Sequence, residues 1–465
     1  MKNRELVRGV WVLLLVPLAA CTIAPEAASP AVSLPASFRH IPKDAKVVSS
    51  SAWWRQFNDP ALTRHIETAL ANNLDLAEAA AVLSEFDALY SKADGETGPQ
   101  VKLQGMAQRG RTLGITSSSY SVTALPSWEI DFWGKLRNTR AAARSDVLAK
   151  SAAREAIRLT IISSVATSYV ELLELDKRLT ISQRTLEGRQ KSLRLAQSRF
   201  NAGQVSRIDQ RQAEAEYQGV VFQVRRLEQQ VEEKENAMSL LLGGNPASPE
   251  RGRTLDALTV PAVPAGLPSD LLARRPDLLE AAEDLSAAAA RLGVAKASMY
   301  PSISLTGVLG RTSTQFSTLF RSAAGAWAFA PMLNLPLFDG GQSRAQVDVS
   351  RARMQQAEIA YEKAVRNALS DAENALVGVE KIREQEQAQT ARVVALRSYE
   401  QLTRRLYEGG EKDSSDFLDA QRQLLDAENT LAATQSGALK SIVALYKALG
   451  GDWDGVPASV TPSSR

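Results

Sequence analysis

The sequence contains one cysteine and two histidines in 465 residues. A disulfide framework, a four-cysteine cluster and a His/Cys metal site are therefore excluded within one chain. Aromatics make up only 6%, and neither sign of charge dominates: 55 Lys+Arg stand against 52 Asp+Glu, a formal charge of +3. The first eight residues hold Lys2, Arg4, Arg8 and Glu5; without them the balance falls to about +1. That is too little for a protein held to nucleic acid by phosphate contacts. His40 lies in a Pro/Ser-rich segment, His65 in a predicted helix, and no serine has a nucleophile-elbow setting. A His-based catalytic triad has little to use, so no enzyme and no cofactor is expected. Beyond the N-terminus no long apolar run occurs, and no membrane-spanning helix is expected in the mature chain. The length exceeds one average domain about threefold, which leaves several domains or one elongated structure.

What is present begins with a targeting signal. Lys2, Arg4 and Arg8 precede a short apolar stretch at 10–18, which ends in Leu18-Ala19-Ala20-Cys21. Small residues before a cut site suit a signal peptidase. Leu-Ala-Ala-Cys also resembles a bacterial lipobox, in which the Cys21 thiol is acylated and becomes the first mature residue. The alternative, plain secretion, leaves a lone thiol in an oxidising compartment. Acyl chains at Cys21 would anchor the chain stably to a bilayer, and Thr22 in place of Asp suggests sorting to an outer membrane.

The body of the chain is duplicated. Leu74-Asp75-Leu76-Ala77-Glu78-Ala79-Ala80 returns as Pro276-Asp277-Leu278-Leu279-Glu280-Ala281-Ala282, and Pro99-Gln100-Val101-Lys102-Leu103 as Pro301-Ser302-Ile303-Ser304-Leu305. Phe200-Asn201-Ala202-Gly203 matches Tyr407-Glu408-Gly409-Gly410. Each half has one plan: a short helix, a β segment, then a long polar–apolar stretch. The long stretches, 136–242 and 342–452, lack proline and are rich in Ala, Glu, Gln, Arg and Leu, which is helix-forming composition. Val165, Leu172, Leu179, Leu186, Leu193 and Phe200 recur every seven residues, as do Tyr217, Val224, Val231 and Met238. Such a repeat is coiled-coil packing with a left-handed supercoil. The glycines near 203 and 410 turn each stretch into a hairpin, whose first arm would reach roughly 100 Å.

The β segments alternate. Val101, Leu103 and Gly105 interleave with Lys102, Gln104 and Met106; Ile303, Leu305, Gly307 and Leu309 interleave with Ser302, Ser304, Thr306 and Val308. Return strands are expected at 120–124 and 326–337, with Ser/Thr/Gly loops at 113–119 and 312–322. The alternation fits a soluble sheet packed on helices and a membrane sheet equally well. In a bilayer, however, four strands leave two open edges, which lipid does not tolerate. Copies would have to share one barrel: two copies give a plugged eight-strand barrel, three give twelve strands with room for water. Joined to long helices, that object is a conduit.

Several blocks in order carry a family likeness. Trp53-Trp54-Arg55-Gln56-Phe57-Asn58-Asp59-Pro60, Ala71-Asn72-Asn73-Leu74-Asp75-Leu76, Trp128-Glu129-Ile130-Asp131-Phe132-Trp133-Gly134-Lys135, Leu272-Ala273-Arg274-Arg275-Pro276-Asp277 and Gly293-Val294-Ala295-Lys296-Ala297 before Tyr300-Pro301-Ser302 are the main ones. The mature chain resembles the TolC-like outer membrane factors, in the lipoprotein branch that serves multidrug efflux. Trp133 departs from the usual smaller residue or Phe at its place. The resemblance implies a helix-dominated fold with a membrane β-barrel portion. A homotrimer would form a twelve-stranded barrel and a twelve-helix tunnel. It also implies a periplasmic adaptor and an inner-membrane pump, RND type, as partners. On this plan the signal peptide covers 1–20, a lipidated linker 21–60, the first-repeat helix 61–98, β-hairpin 99–133, helical hairpin 134–243, and a Pro-rich connector 244–270. The second half then runs helix 271–299, β-hairpin 300–338, helical hairpin 339–451 and tail 452–465.

A tube must close at its periplasmic end, and in the family the closing helices follow the second helical turn. Residue by residue the resemblance places a gate at Tyr407, Asp416, Asp419 and Arg422, with Asp209 the first-half counterpart of Asp416 and Lys412 nearby. It also implies a latch between Tyr407 and Asp209. Asp416 and Asp419 share a helix face, so threefold symmetry would gather six carboxylates, relieved by cations or by Arg422. The plain alternative for these residues is a solvated helix end. For the whole chain, the alternatives are a duct for type I protein secretion and a non-conducting coiled-coil lipoprotein. The latter would need neither the strands nor the duplication.

Overall fold

Two sets of helices of equal length make the duplication visible in the folded chain. The computed structural model describes residues 33–40, 52–261, 263, 268, 271–411 and 414–451; Cys21 and Lys412 lie outside them. After a 3-10 turn at Trp53–Phe57, the first half runs α1 (Pro60–Asn72), α2 (Leu74–Gly95), β1 (Gln100–Thr112), β2 (Ile115–Ile130), α3 (Lys135–Asn201) and α4 (Arg207–Leu241). The second half runs α5 (Pro276–Ala297), β3 (Ser302–Ser313), β4 (Gly325–Asn334), α6 (Gln342–Glu408) and α7 (Ser414–Ala448). Helices α2 and α5 each have 22 residues, α3 and α6 each 67, and α4 and α7 each 35. Lys135 corresponds to Gln342 and Arg207 to Ser414, both at an offset of 207.

Two readings of the sequence are corrected here. The single first-repeat helix expected at 61–98 is two helices, because Asn73 adopts an extended conformation. Its Oδ1 accepts from the amides of Asp75 and Leu76, capping α2. The loop expected at 113–119 is instead a two-residue turn, Leu113-Gly114, with φ of 50° and 80°. Both residues in the left-handed region suit the twist of a tight hairpin. The serines beyond it, Ser117 to Ser119, pair with Gly110 to Gln108 as strand. Thr312 and Ser313 likewise belong to β3 rather than to a loop.

The chain divides into two compact units. The first holds Ala81–Ser151 and Glu280–Ala364, with the whole sheet. Its helices are fastened by Arg291 on Asp146, with both carboxylate oxygens within 2.7 Å, and by Gly293, where a Cβ would come within 2.7 Å of Asn138 Nδ2. Trp133, the departure noted above, stacks on Tyr300 at 4.9 Å and donates Nε1–H to the Pro301 carbonyl at 2.8 Å. It thereby joins the ends of the two β-hairpins.

The second unit holds Ser33–Ala80, Ala152–Leu279 and the chain from Val365. One 18-residue window of α3 is apolar enough to cross a membrane. Its residues Ile162, Val165, Ala166, Tyr169, Val170 and Leu172 are buried in this unit, which is core packing. Ile181, Val220, Val224, Leu425 and Ala432 form a cluster joining α3, α4 and α7, with Leu179 and Leu186 against it. Seven-residue positions thus point inward. The N-terminal Trp block docks here: Trp53 is fully buried and stacks on Tyr446 at 4.9 Å. Asp59 caps α1 through the amides of Ala61 and Leu62, while its other oxygen accepts from Tyr169 OH (2.8 Å) and the Arg253 amide (2.9 Å). Burial pushes the Tyr169 phenol well above its ordinary pKa, so it stays a donor to Asp59.

Candidate functional site

The sheet has the antiparallel order β1-β2-β3-β4, so β1 and β4 each keep one unpaired edge. Directly opposed residues share a face, and the register therefore sorts the side chains. Leu103 opposes Ala124, Ala124 opposes Leu309, and Leu309 opposes Trp327; Gly307 opposes Phe329, and Ile303 opposes both Ile130 and Leu333. That face is apolar from edge to edge. The other carries Gln104 opposite Thr123, Ser127 opposite Thr306 and Glu129 opposite Ser304, with small Ala328 and Ala330 in β4. Val101, Leu103, Leu309, Trp327, Phe329 and Leu333 are each between 64% and 79% exposed. An apolar face this continuous and this bare is not that of a soluble sheet packed on helices. It is the outward face of a transmembrane barrel, with the polar face inward. Trp128 lies near the helix-connected edge of that face and Trp327 near the opposite edge, as interfacial girdles do.

The helical tips lie in the second unit. Both close with the same cap: the amides of Gln204 and Glu411 bond five residues back to the carbonyls of Arg199 and Leu406, each at 2.9 Å. Gly203 and Gly410 take the positive φ that this cap requires. Asp209 completes a capping box with Ser206 at the start of α4. Its Oδ1 also accepts from Ser414 Oγ at 3.2 Å, tying the start of α4 to the start of α7. The Ser206 hydroxyl, chiefly, with the Ser206 amide and Ser414, holds the Asp209 carboxyl below the usual carboxylate range.

Tyr407, at the end of α6, is buried between Phe417 (stacked, 5.4 Å) and the Arg199 guanidinium, 4.9 Å from its ring centroid. Arg199 also donates to the carbonyls of Tyr407 (3.2 Å) and Glu408 (3.1 Å), neutralising the C-terminal end of α6. Within one chain Tyr407 and Asp209 are therefore engaged with other partners and do not bond each other. Arg422 pairs with Asp419 at 3.3 Å on its own helix and with Glu216 of α4 at 3.4 Å. Glu216 in turn holds Arg189 of α3, which is 1% exposed, at 3.3 Å. Burial lowers the Arg189 pKa, and Glu216 opposes that shift. Asp419, Arg422, Glu216 and Arg189 thus form one charge ladder across three helices. Asp416 sits half-buried in the first turn of α7, where an acid favours the helix dipole.

The sequence pointed to Tyr407, Asp209, Asp419 and Arg422, which the fold gathers at the two tips. It missed Arg199, Ser414, Phe417, Glu216 and Arg189. Arg199 and Phe417 carried a faint signal, a cation in a last turn and an aromatic in a first turn.

The profile described as outer membrane efflux protein matches residues 65–244 and 267–451, one segment for each half. The chain belongs to this outer membrane efflux protein family. The toluene efflux pump outer membrane protein TtgC of Pseudomonas putida is 33% identical over 94% of this chain and 93% of that one. The cation efflux system protein CusC of Escherichia coli K12 is 30% identical over 93% and 97%. The open state of the MtrE outer membrane channel of Neisseria gonorrhoeae superposes with a TM-score of 0.86 at 30% identity, over 93% of this chain and 98% of that one. This protein is an outer membrane efflux channel with the TolC-like fold.

Proposed function

We propose that three copies of the chain close one twelve-stranded barrel and one helical tunnel through which solutes leave the cell. An inner-membrane pump, of the RND type, and a periplasmic adaptor would deliver them. The observation that carries this reading is the four-stranded sheet with two open edges and one bare apolar face. A bilayer accepts it only when copies pool their strands, and three copies leave a water-filled bore. The protein acts as a conduit and not as a catalyst. Its relatives support a duct without cargo selection of its own, since one is named for toluene and another, about as similar, for a cation.

The tunnel's gate is the tip of the second helical hairpin, at Tyr407, Asp416, Asp419 and Arg422, with Lys412 beside it. Opening would draw α7 away from α4 and break the Asp209–Ser414 and Arg422–Glu216 contacts. The Tyr407–Asp209 latch would bridge neighbouring chains. Cys21 is the lipid anchor. Purified full-length protein should have a trimer's mass in mild detergent and should conduct ions in planar bilayers. Palmitate label should enter the parent protein and not Cys21→Ser. A monomer that stays electrically silent after the gate acids are removed would overturn the conduit, and a labelled Cys21→Ser would overturn the anchor.

A further inference from the structure

The charges of the sheet are sorted by edge. No acid occurs at 97–128 or at 300–338. The acids that flank the strands, Glu96, Glu129, Asp131 and Asp339, all stand at the edge where the helices join. The opposite edge, beside the two hairpin loops, carries Arg109, Arg111, Arg311 and Arg321. Strand parity fixes which way three of them face. Arg109 and Arg111 continue the series Val101, Leu103, Gly105, Ala107 in β1, and Arg311 continues Ile303, Leu305, Gly307, Leu309 in β3. All three therefore stand on the lipid-facing side, directly beyond the apolar band, and not in the bore. The band from Ile303 to Leu309 spans roughly 20 Å along the strand. Tyr120 lies on the same face opposite Ala107, with Phe316 edge-on at 5.7 Å.

Arg109 and Arg111 are exposed. Arg111 uses Nε on the Gly114 carbonyl at 3.1 Å, and Arg311 uses one terminal nitrogen on the carbonyls of Phe320 and Arg321, both at 2.7 Å. These bonds anchor the side chains of Arg111 and Arg311 and use only part of their donor sets. A guanidinium is a planar fork suited to phosphate oxygens. We propose that Arg109, Arg111 and Arg311 form a collar that binds the phosphate groups of the phosphorylated glycolipid in the outer leaflet. In a trimer the collar would repeat three times around the barrel and fix its depth and its lipid annulus.

This inference rests on insertion of the sheet with its hairpin loops outward, and conductance reports that insertion separately. The test compares full-length protein in nanodiscs containing bisphosphorylated lipid A or the same lipid A with its phosphates removed, with co-purifying lipid measured by native mass spectrometry. The parent protein should retain the phosphorylated form at least about tenfold better. Arg109→Gln with Arg111→Gln should bring that preference near unity at unchanged single-channel conductance, and the Lys pair should restore part of it. Inorganic phosphate at equal concentration should not displace the lipid. Equal retention of both lipids by the parent protein overturns the proposal even if the variant fails to insert. So does a full preference in a conducting Gln variant, or displacement by inorganic phosphate.

Discussion

The two halves of the chain share their geometry and differ in their ions. At the foot of each half the same clasp is built. Gly243 follows α4 with φ of 75° and Gly450 follows α7 with φ of 91°, again at an offset of 207. A Cβ on Gly243 would stand 2.2 Å from the Asn72 carbonyl oxygen, and one on Gly450 2.7 Å from that of Arg274. Beside each glycine, the residue before the repeat helix donates to the end of the hairpin: Asn73 Nδ2 to the Leu241 carbonyl (3.0 Å), Arg275 to the Ala448 carbonyl (3.1 Å). The second clasp has become ionic, since Arg275 also forks onto Asp277 and reaches Asp371 at 3.2 Å. The tips repeat the pattern. Phe200, Gln212 and Ala215 of the first half stand where the second has Tyr407, Asp419 and Arg422. Duplication preserved the turns and helix lengths, while the charged positions moved: Asp419 and Arg422 have no charged counterpart in the first hairpin, and they lie in the arm we assign to gating.

The largest effect should come from breaking the shared clasp. Gly243→Ala and Gly450→Ala each force a side chain into a left-handed residue against backbone that cannot yield, at a cost of about 2–4 kcal/mol. Thermal unfolding followed by helix circular dichroism should fall for both, more for Gly243→Ala. If one of them is neutral, the clasp is not a shared device. Next in size is the difference between tips. Asp416→Ala with Asp419→Ala should raise single-channel conductance at least about twofold and weaken block by multivalent cations, because a ring of carboxylates is removed. Gln212→Ala, at the matching place in the first hairpin, should leave both unchanged. An equal response from the two hairpins would end the assignment of the gate to the second.

Much of this is legible in the sequence, for local reasons. Alternation at 101–106 and 302–309 by itself separates the two faces of the sheet, and the glycines at 203 and 410 mark both turns. Two things do not show. Ser117 to Ser119 resemble a loop because the inward face of a water-filled barrel is as polar as a loop, so composition does not separate them. The break at Asn73 carries no proline or glycine; its side chain caps α2 and also reaches across 168 residues to Leu241. The same holds for Arg199 on Tyr407 and Asp209 on Ser414, contacts separated by about two hundred residues that no local pattern encodes. The choice between a soluble and a membrane sheet also needs the register, because only cross-strand pairing shows that the apolar face is continuous and uncovered.

The smallest expected effect concerns the tie that joins the two tips. The folded pKa of Asp209 is depressed, chiefly by Ser206, so its support is complete above the ordinary carboxylate pKa of about 4 and fades as pH falls through the lowered folded value. The group is only partly buried, and solvent screening keeps the contribution small. Conductance of the parent channel should therefore be flat from neutral pH to about pH 4 as far as this tie is concerned, then show a modest acid step. Asp209→Asn keeps an acceptor for Ser206 and Ser414 and removes the titration, so its acid step should disappear. An acid step of undiminished size in Asp209→Asn would show that the pH response does not come from the contact between the two hairpins.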